Sequence, residues 1–420
     1  MATVSNRTKD SVMSKHSPSP YVVVLAGSAS LAIAMGVGRF AFTPILPMML
    51  HDGVLDFSRA GELATANYVG YLVGALAAMA VPRRWNHTFV IRLALVFTVL
   101  VTALMSVPYA DAWVALRFLA GVASAIGFVF TSGWCLAQLS RTGSSIGSAI
   151  FTGPGAGIAA SGLAASGMTL LGLSGSMAWL VFAALSASIS AVIWKTFGKH
   201  SKPSDAYSVG TSTRASGKVP QSEMPLFAIA YGLAGFGYIV TATYLPVIAK
   251  NSIPGSPLLT VFWPLFGVAA VFGSLLAARV KHSADVRLHL IAAYLVQAVG
   301  VGLSVIWQDA VGLALSSVLV GLPFTAISFF AMNEVRRIRS SHHPRYMGLL
   351  TAVFAIGQIM GPPVVAVIMR HAENVDAGFD LALAVASIAL VVGAAIYVAM
   401  ILLFPSERKV KLGDRSVRSS

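Results

Sequence analysis

The placement of charge constrains this chain more than any other feature. Stretches of about twenty residues pass with few or no charged side chains, separated by short segments that carry most of the Lys and Arg. A helix rises about 1.5 Å per residue, so twenty residues match the roughly 30 Å hydrocarbon layer of a bilayer. Of the 420 residues, 56% are hydrophobic and only 10% are charged, whereas soluble domains carry about 25% charged residues. A chain of this length has no soluble core large enough to enclose so much apolar material. Lipid offers no hydrogen-bond partners to the backbone, so spanning segments must be helices or closed barrels. The apolar blocks lack strict alternation, which leaves helices.

The blocks predict an all-α integral membrane protein with twelve transmembrane helices, at roughly 21–50, 60–81, 88–107, 111–139, 146–171, 176–197, 224–249, 258–280, 287–307, 310–333, 346–369 and 379–404. An even count puts both ends of the chain on one side. On that side fall 24 of the 29 Lys and Arg residues, and the positive-inside rule makes it the cytoplasmic face. Net charge +14 is therefore read as topology, not as nucleic-acid binding. Residues 1–20 and 405–420 read as cytoplasmic tails. The apolar run behind the first tail, about thirty residues long, is too long for a signal-peptide core. The single Cys135 forms no intramolecular disulfide, so it says nothing of redox compartment.

Residues 198–223, rich in Ser, Gly and Lys, read as a flexible cytoplasmic linker between a bundle at 21–197 and a second at 224–404. The two bundles look like copies. GVGRFAFTPILP (36–47) is matched by GFGYIVTATYLP (235–246), RWNHTFVIRLAL (84–95) by RVKHSADVRLHL (279–290), and TGPGAGI (152–158) by MGPPVVA (360–366). Three matches in one order indicate an internal repeat. Parallel six-helix repeats are a transporter plan, with the substrate site near mid-membrane between them.

Two arginines, Arg39 and Arg117, lie deep inside predicted spans, away from the cytoplasmic ends where the other basic residues of the helices fall. An Arg at the centre of a spanning helix costs about 2.5–3.5 kcal/mol on insertion scales, so it marks function by default. Both fall about 9–12 Å from the outer end of their helices and would share a depth. In one reading they face an aqueous passage and bind an anionic group, since Arg pairs bidentately with carboxylate or phosphate. In the other they neutralise a buried partner, with Glu62 the candidate, or bond helix carbonyls, or snorkel outward. Phe40 beside Arg39, Tyr68 and Tyr71 on one helix face, Tyr238 in Arg39's place in the repeat, Trp263 and Gln358 are further candidates to line the site. Each serves interhelical packing as readily as ligand contact.

Gly153, Pro154 and Gly157, and Gly357, Gly361 and Pro362, set small residues at helical spacing beside proline. They predict close helix approach with a bend where proline removes a hydrogen bond, and a hinge against the partner bundle. Intramembrane carboxylates are nearly absent. Glu62 and Glu334 are the deepest and hence the proton-coupling candidates, although Glu334 also suits an ion pair with Arg336 or Arg337. No phosphate-binding loop, no zinc-ligand spacing and no Ser-His-Asp arrangement is present, so neither an enzyme nor a metal or other cofactor is expected.

These motifs resemble the major facilitator superfamily, specifically its YbfB/YjiJ-type bacterial group. GVGRFAFTPILPMM (36–49) is the most specific match. ALRFLAGVASAIGF (115–128) is similar to the superfamily's fourth-helix motif, with Arg117 at its arginine. GPGAGI (153–158) resembles the fifth-helix motif associated with antiporters, with Ile158 in place of its final Gly, and GQIMGPP (357–363) its counterpart. One loop departs: AAMAVPRRWNH (77–87) lacks the Asp and second Gly usual between helices 2 and 3 and keeps only Arg83 and Arg84 as its basic part. The resemblance implies two six-helix bundles of major facilitator type working by alternating access on an ion gradient. The expected protein is a monomeric secondary transporter of the bacterial inner membrane, moving a small organic molecule, an anion if the arginines face the passage, with proton coupling. Export is favoured by the fifth-helix motif; uptake of a carboxylate metabolite is the rival. A non-transporting sensor or scaffold is the alternative of another class.

Overall fold

A computed structural model of the chain describes residues 19–82, 85–141, 146–198, 223–252, 261–280, 285–338 and 343–405. Nearly all of the expected tails and linker, and the Arg83–Arg84 pair, lie outside the described residues. Among the described residues the fold has twelve helical rods: α1 (Pro20–His51), α2 (Phe57–Ala80), α3 (His87–Leu104), α4 (Ala110–Arg141), α5 (Thr152–Leu170), α6 (Gly175–Ile193), α7 (Glu223–Ser252), α8 (Phe262–Arg279), α9 (Val286–Ile306), α10 (Ala310–Ile338), α11 (His343–His371) and α12 (Val375–Leu403). No strand occurs among the described residues.

Eleven of these helices are long and apolar enough to cross a membrane. The exception is α5, 19 residues long and thus about 28 Å, whose Gly, Ala, Ser and Thr lower its hydropathy in exchange for close packing. The sequence determines where the rods begin. Asp56, Asn86, Ser174 and Asn374 accept backbone N–H bonds in the first turns of α2, α3, α6 and α12, the N-cap role suited to short polar side chains. Gly53 and Gly172 close α1 and α5 with φ of 69° and 66°, a backbone region that costs other residues energy.

The helix pairings repeat with an offset of six. In the first half α2 packs on α4, α1 on α5 and α3 on α6; in the second α8 packs on α10, α7 on α11 and α9 on α12. Between the halves the main contacts are α2 with α11 and α5 with α8, which the repeat relates to each other. Glycine makes these contacts close. A Cβ on Gly36 would stand 2.5 Å from Cα of Gly157, and one on Gly155 would stand 2.7 Å from the carbonyl of Gly267 across the halves. Gly153 packs on the Ser28 carbonyl of α1, Gly357 on the Gly232 carbonyl of α7, and Gly361 on Ile239.

One expectation about these helices needs correction. Pro154 lies in the first turn of α5, behind a 3-10 turn over Ile146–Phe151. N–H groups there have no partner within the helix, so the proline removes no internal bond. Pro362 does lie inside α11, with Pro363 beside it, and leaves the Gln358 carbonyl without its usual acceptor role.

Candidate functional site

Helix α1 is not a regular α-helix. It carries a π-helical stretch over Ala32–Phe40, a wider turn that often marks functional positions and that disturbs the regular pairing of backbone carbonyls. Two side chains hold that stretch. Arg117 of α4 donates to the carbonyls of Gly38 (3.4 Å) and Arg39 (3.1 Å). Asn67 of α2 donates to the Gly38 carbonyl (3.4 Å) and to the Arg117 carbonyl (2.9 Å). The Arg117 guanidinium also stacks 4.8 Å from the Phe42 ring. Arg117 thus bonds helix carbonyls, one of the two roles the sequence left open for it.

Arg39, the last turn of this stretch, projects toward the second half. Its Nη2 donates to Gln358 Oε1 of α11, and the Gln358 amide donates in turn to the Tyr238 hydroxyl of α7. The guanidinium carbon lies 4.1 Å from the Tyr71 ring centre, 5.1 Å from Phe40 and 5.5 Å from Tyr68. Arg39 is only 3% exposed, so it neither snorkels nor faces lipid. Its Nε and Nη1 make no hydrogen bond of regular geometry, the Tyr71 phenol being in contact with the guanidinium, and no carboxylate among the described residues pairs with it. A buried cation with two unused donors is a costly arrangement.

Aromatic rings continue outward from this centre. Phe40 meets Trp263 of α8 at 6.1 Å and Phe324 of α10 at 6.0 Å, both edge-on, and Tyr238 lies 4.8 Å from Phe324 and 5.6 Å from Phe354. Trp263 stacks on Phe266 and its indole N–H is buried without a partner. Six of the residues expected to line a site, Arg39, Phe40, Tyr71, Tyr238, Trp263 and Gln358, therefore join one cluster spanning both halves, with half-buried Tyr68 at its margin. Phe324, Phe354 and Phe266 complete it. Nothing in the sequence distinguished them, because a phenylalanine in an apolar helix reads the same whether it faces lipid or a site.

The two carboxylates expected to couple protons are placed elsewhere. Glu62 is exposed near the start of α2 and pairs with neither arginine; the nearby ion pair is Arg59 with Asp111, at 3.0 Å. Glu334 is fully buried at the end of α10 and accepts from Arg337 (2.7 Å), as the sequence allowed. The side chain of its other candidate partner, Arg336, lies outside the described residues. Glu334 belongs to a larger network. Arg337 also bonds Glu223 of α7, while Arg287 of α9, with no exposed surface, pairs with Asp285 (2.7 Å) and lies 3.6 Å from Glu223 and 3.9 Å from Glu334. Arg287 further donates to the Met400 and Phe404 carbonyls at the end of α12 (2.9 and 2.8 Å). Burial opposes ionisation of Asp285, but its hydrogen bonds from Arg287 and the charge of that guanidinium hold its carboxyl below the usual value. In the first half, Arg92 stands at the repeat-related place and donates to the Trp194 carbonyl at the end of α6 (2.8 Å).

The family model described as "Uncharacterised MFS-type transporter YbfB" matches residues 31–398. The chain belongs to this YbfB-type family of MFS transporters. Two solved structures resemble this YbfB-type transporter over 90% of its length, each with a TM-score of 0.66. One is an MFS transporter, FucP, in the outward conformation, 14% identical and covered over 99% of its chain. The other is the human organic anion transporter MFSD10 (TETRAN), 15% identical and covered over 100%. At these identities the likeness carries the fold alone. No curated protein sequence is significantly similar to the chain. The YbfB-type protein is accordingly a multi-pass membrane protein and a secondary transporter of small molecules, not an enzyme. The sensor or scaffold alternative falls away with the family assignment.

Proposed function

We propose that this transporter carries a small organic anion by alternating access, with Arg39 as the anchor of the anionic group. The observation that carries the reading is the buried Arg39 guanidinium between the halves, with Nε and Nη1 unpaired and no acid beside it. A carboxylate or similar anion from the cargo would accept from Nε or Nη1 together with the Nη2 hydrogen not given to Gln358, the side-by-side geometry that Arg favours. Gln358 and Tyr238 tie the anchor to the second half, so binding and the relative movement of the halves involve the same groups. The contacts α2–α11 and α5–α8, together with Phe151 against Phe329 at 5.9 Å, are the surfaces across which that movement would run. Gly157 and Gly357 close on helices of their own halves, so the hinge expected of these sets falls instead to Gly155 against Gly267, the close contact across the halves.

In this reading the protein is a monomer of a bacterial inner membrane, and its termini are cytoplasmic, a placement supported by the one-sided Lys and Arg distribution. Transport is coupled to protons. Glu334, buried with its Oε2 unpartnered, is the better-placed carrier, and exposed Glu62 the weaker. The α5 motif supports export. Uptake of a carboxylate is the second reading, favoured by the anion-binding character of Arg39.

Reconstitution into proteoliposomes tests the whole. Flux of an anionic cargo should follow an imposed pH gradient, vanish when it is collapsed, and vanish in Arg39→Ala vesicles carrying equal amounts of folded protein. Flux indifferent to the gradient removes the proton; flux indifferent to Arg39 removes the anchor.

A further inference from the structure

We infer that the cargo carries a single negative charge on an aromatic body, an arene carboxylate in chemical class. The inference rests on the reading of Arg39 as an anion anchor and adds the rest of the molecule to it.

The charge count comes first. Arg39 has one fork left for an anion, because Nη2 gives one hydrogen to Gln358 and has only one other to share with Nε or Nη1. Arg117, the other arginine deep in the membrane, spends both terminal nitrogens on the Gly38 and Arg39 carbonyls and keeps only Nε free, so it offers no second fork for an anion. A dicarboxylate would thus bring a second carboxylate with no free guanidinium fork among the described residues to receive it, and desolvating a poorly paired carboxylate is strongly unfavourable. A zwitterionic amino acid meets the converse difficulty. Its ammonium would sit within reach of the Arg39 charge, and no carboxylate among the described residues lies in the cluster to take it.

The body of the cargo follows from the walls. Around Arg39 the neighbours are rings: Tyr71, Phe40 and Tyr68 on the first half, then Trp263 and Phe324 beyond Phe40. An aromatic ring gains offset or edge-on contacts with such walls beyond its apolar burial. One further polar group suits the far end, because the Trp263 indole N–H is buried and unpaired. A ring substituent that accepts a hydrogen bond, such as a hydroxyl or carbonyl oxygen, would satisfy it.

The test is a thermal-shift series on the full purified chain in detergent, using benzoate, 4-hydroxybenzoate, benzyl alcohol, succinate and phenylalanine at matched ionic strength. Benzoate should raise the melting temperature saturably, 4-hydroxybenzoate at several-fold lower concentration, and the other three should not. The comparison of benzoate with benzyl alcohol needs no variant, so it stands even if Arg39→Gln fails to fold. Where Arg39→Gln folds, its response to benzoate should be lost, and Trp263→Phe should abolish the advantage of 4-hydroxybenzoate. Succinate acting more strongly than benzoate in an Arg39-dependent way overturns the arene monoanion and leaves the anchor standing. Benzyl alcohol acting as well as benzoate overturns both. No saturable response to either benzoate overturns the arene class.

Discussion

Arg39 and Tyr238 occupy equivalent places in the two copies of the repeat, and both are hydrogen-bonded to one side chain, Gln358 of α11. The repeat has thus put a cation on one side and a neutral phenol on the other, with an amide joining them. Gln358 completes the Arg39 environment without neutralising it.

That difference predicts the effect of supplying the missing charge from within. Gln358→Glu would give Arg39 a resident carboxylate at hydrogen-bond distance, in competition with any anionic cargo. The variant should be at least as thermally stable as the parent while its affinity for the cargo falls tenfold or more. Melting curves and concentration-dependent flux check this, and an unchanged half-saturation concentration contradicts it.

Arg117 is expected to act through the backbone of α1. Removing it deprives the Gly38 and Arg39 carbonyls of bonds from a charged donor, each worth about 1.5–3 kcal/mol. Arg117→Ala should therefore destabilise the protein by about 3 kcal/mol, and Arg117→Lys, which keeps a charged donor but not the fork, should recover part of that. Chemical unfolding in detergent gives the number. Equal losses in the two variants would mean that the carbonyl bonds contribute little.

Arg287 and Arg92 are repeat-related, yet their truncation should differ. Arg287 is wholly buried among Asp285, Glu223 and Glu334, and breaking a buried ion pair costs about 3–5 kcal/mol because the remaining charges are stranded. Arg92 makes one bond to a carbonyl and stacks 4.8 Å from Trp194, worth about 2 kcal/mol. Arg287→Ala should lower the unfolding free energy by the larger amount. A reversed order contradicts the assigned role of the network.

Asp285 gives the network a pH dependence. Its carboxyl is held below the ordinary value of 3.8, so the unfolded chain takes up a proton there before the folded one does. The stability it contributes is present above that value and is lost as pH falls through the lower, folded one. Melting temperatures measured from pH 6 downward should fall in the acid range, and Asp285→Asn should flatten part of that fall. An identical acid slope in the variant would remove Asp285 as its source.

Much of this fold was legible in the sequence because lipid leaves few choices. Long uncharged runs can only be helices, and the basic residues sort to one side of twelve of them. The repeat was visible where it fixes chemistry, at Arg39 with Tyr238 and at Arg92 with Arg287. Arg39 stood out because a charge in an apolar helix is costly and rare. What stayed hidden depends on which way a side chain turns. The sequence set Glu62 within reach of Arg39, but Glu62 faces solvent. It read Pro154 as a bend, but the helix begins only two residues earlier. Phe324 and Phe354 carry no mark that separates a site wall from a lipid contact. The π-helical stretch that turns Arg39 inward has no signature in residue type.

The central claim is that Arg39 is held unpaired for an anion brought by the cargo. Counterflow of an anionic cargo into vesicles containing Arg39→Ala, at a protein level and melting temperature matched to the parent, tests it most directly. The account predicts flux at the level of empty vesicles, with Arg39→Lys restoring only a small part. Parent-like counterflow through folded Arg39→Ala would contradict it.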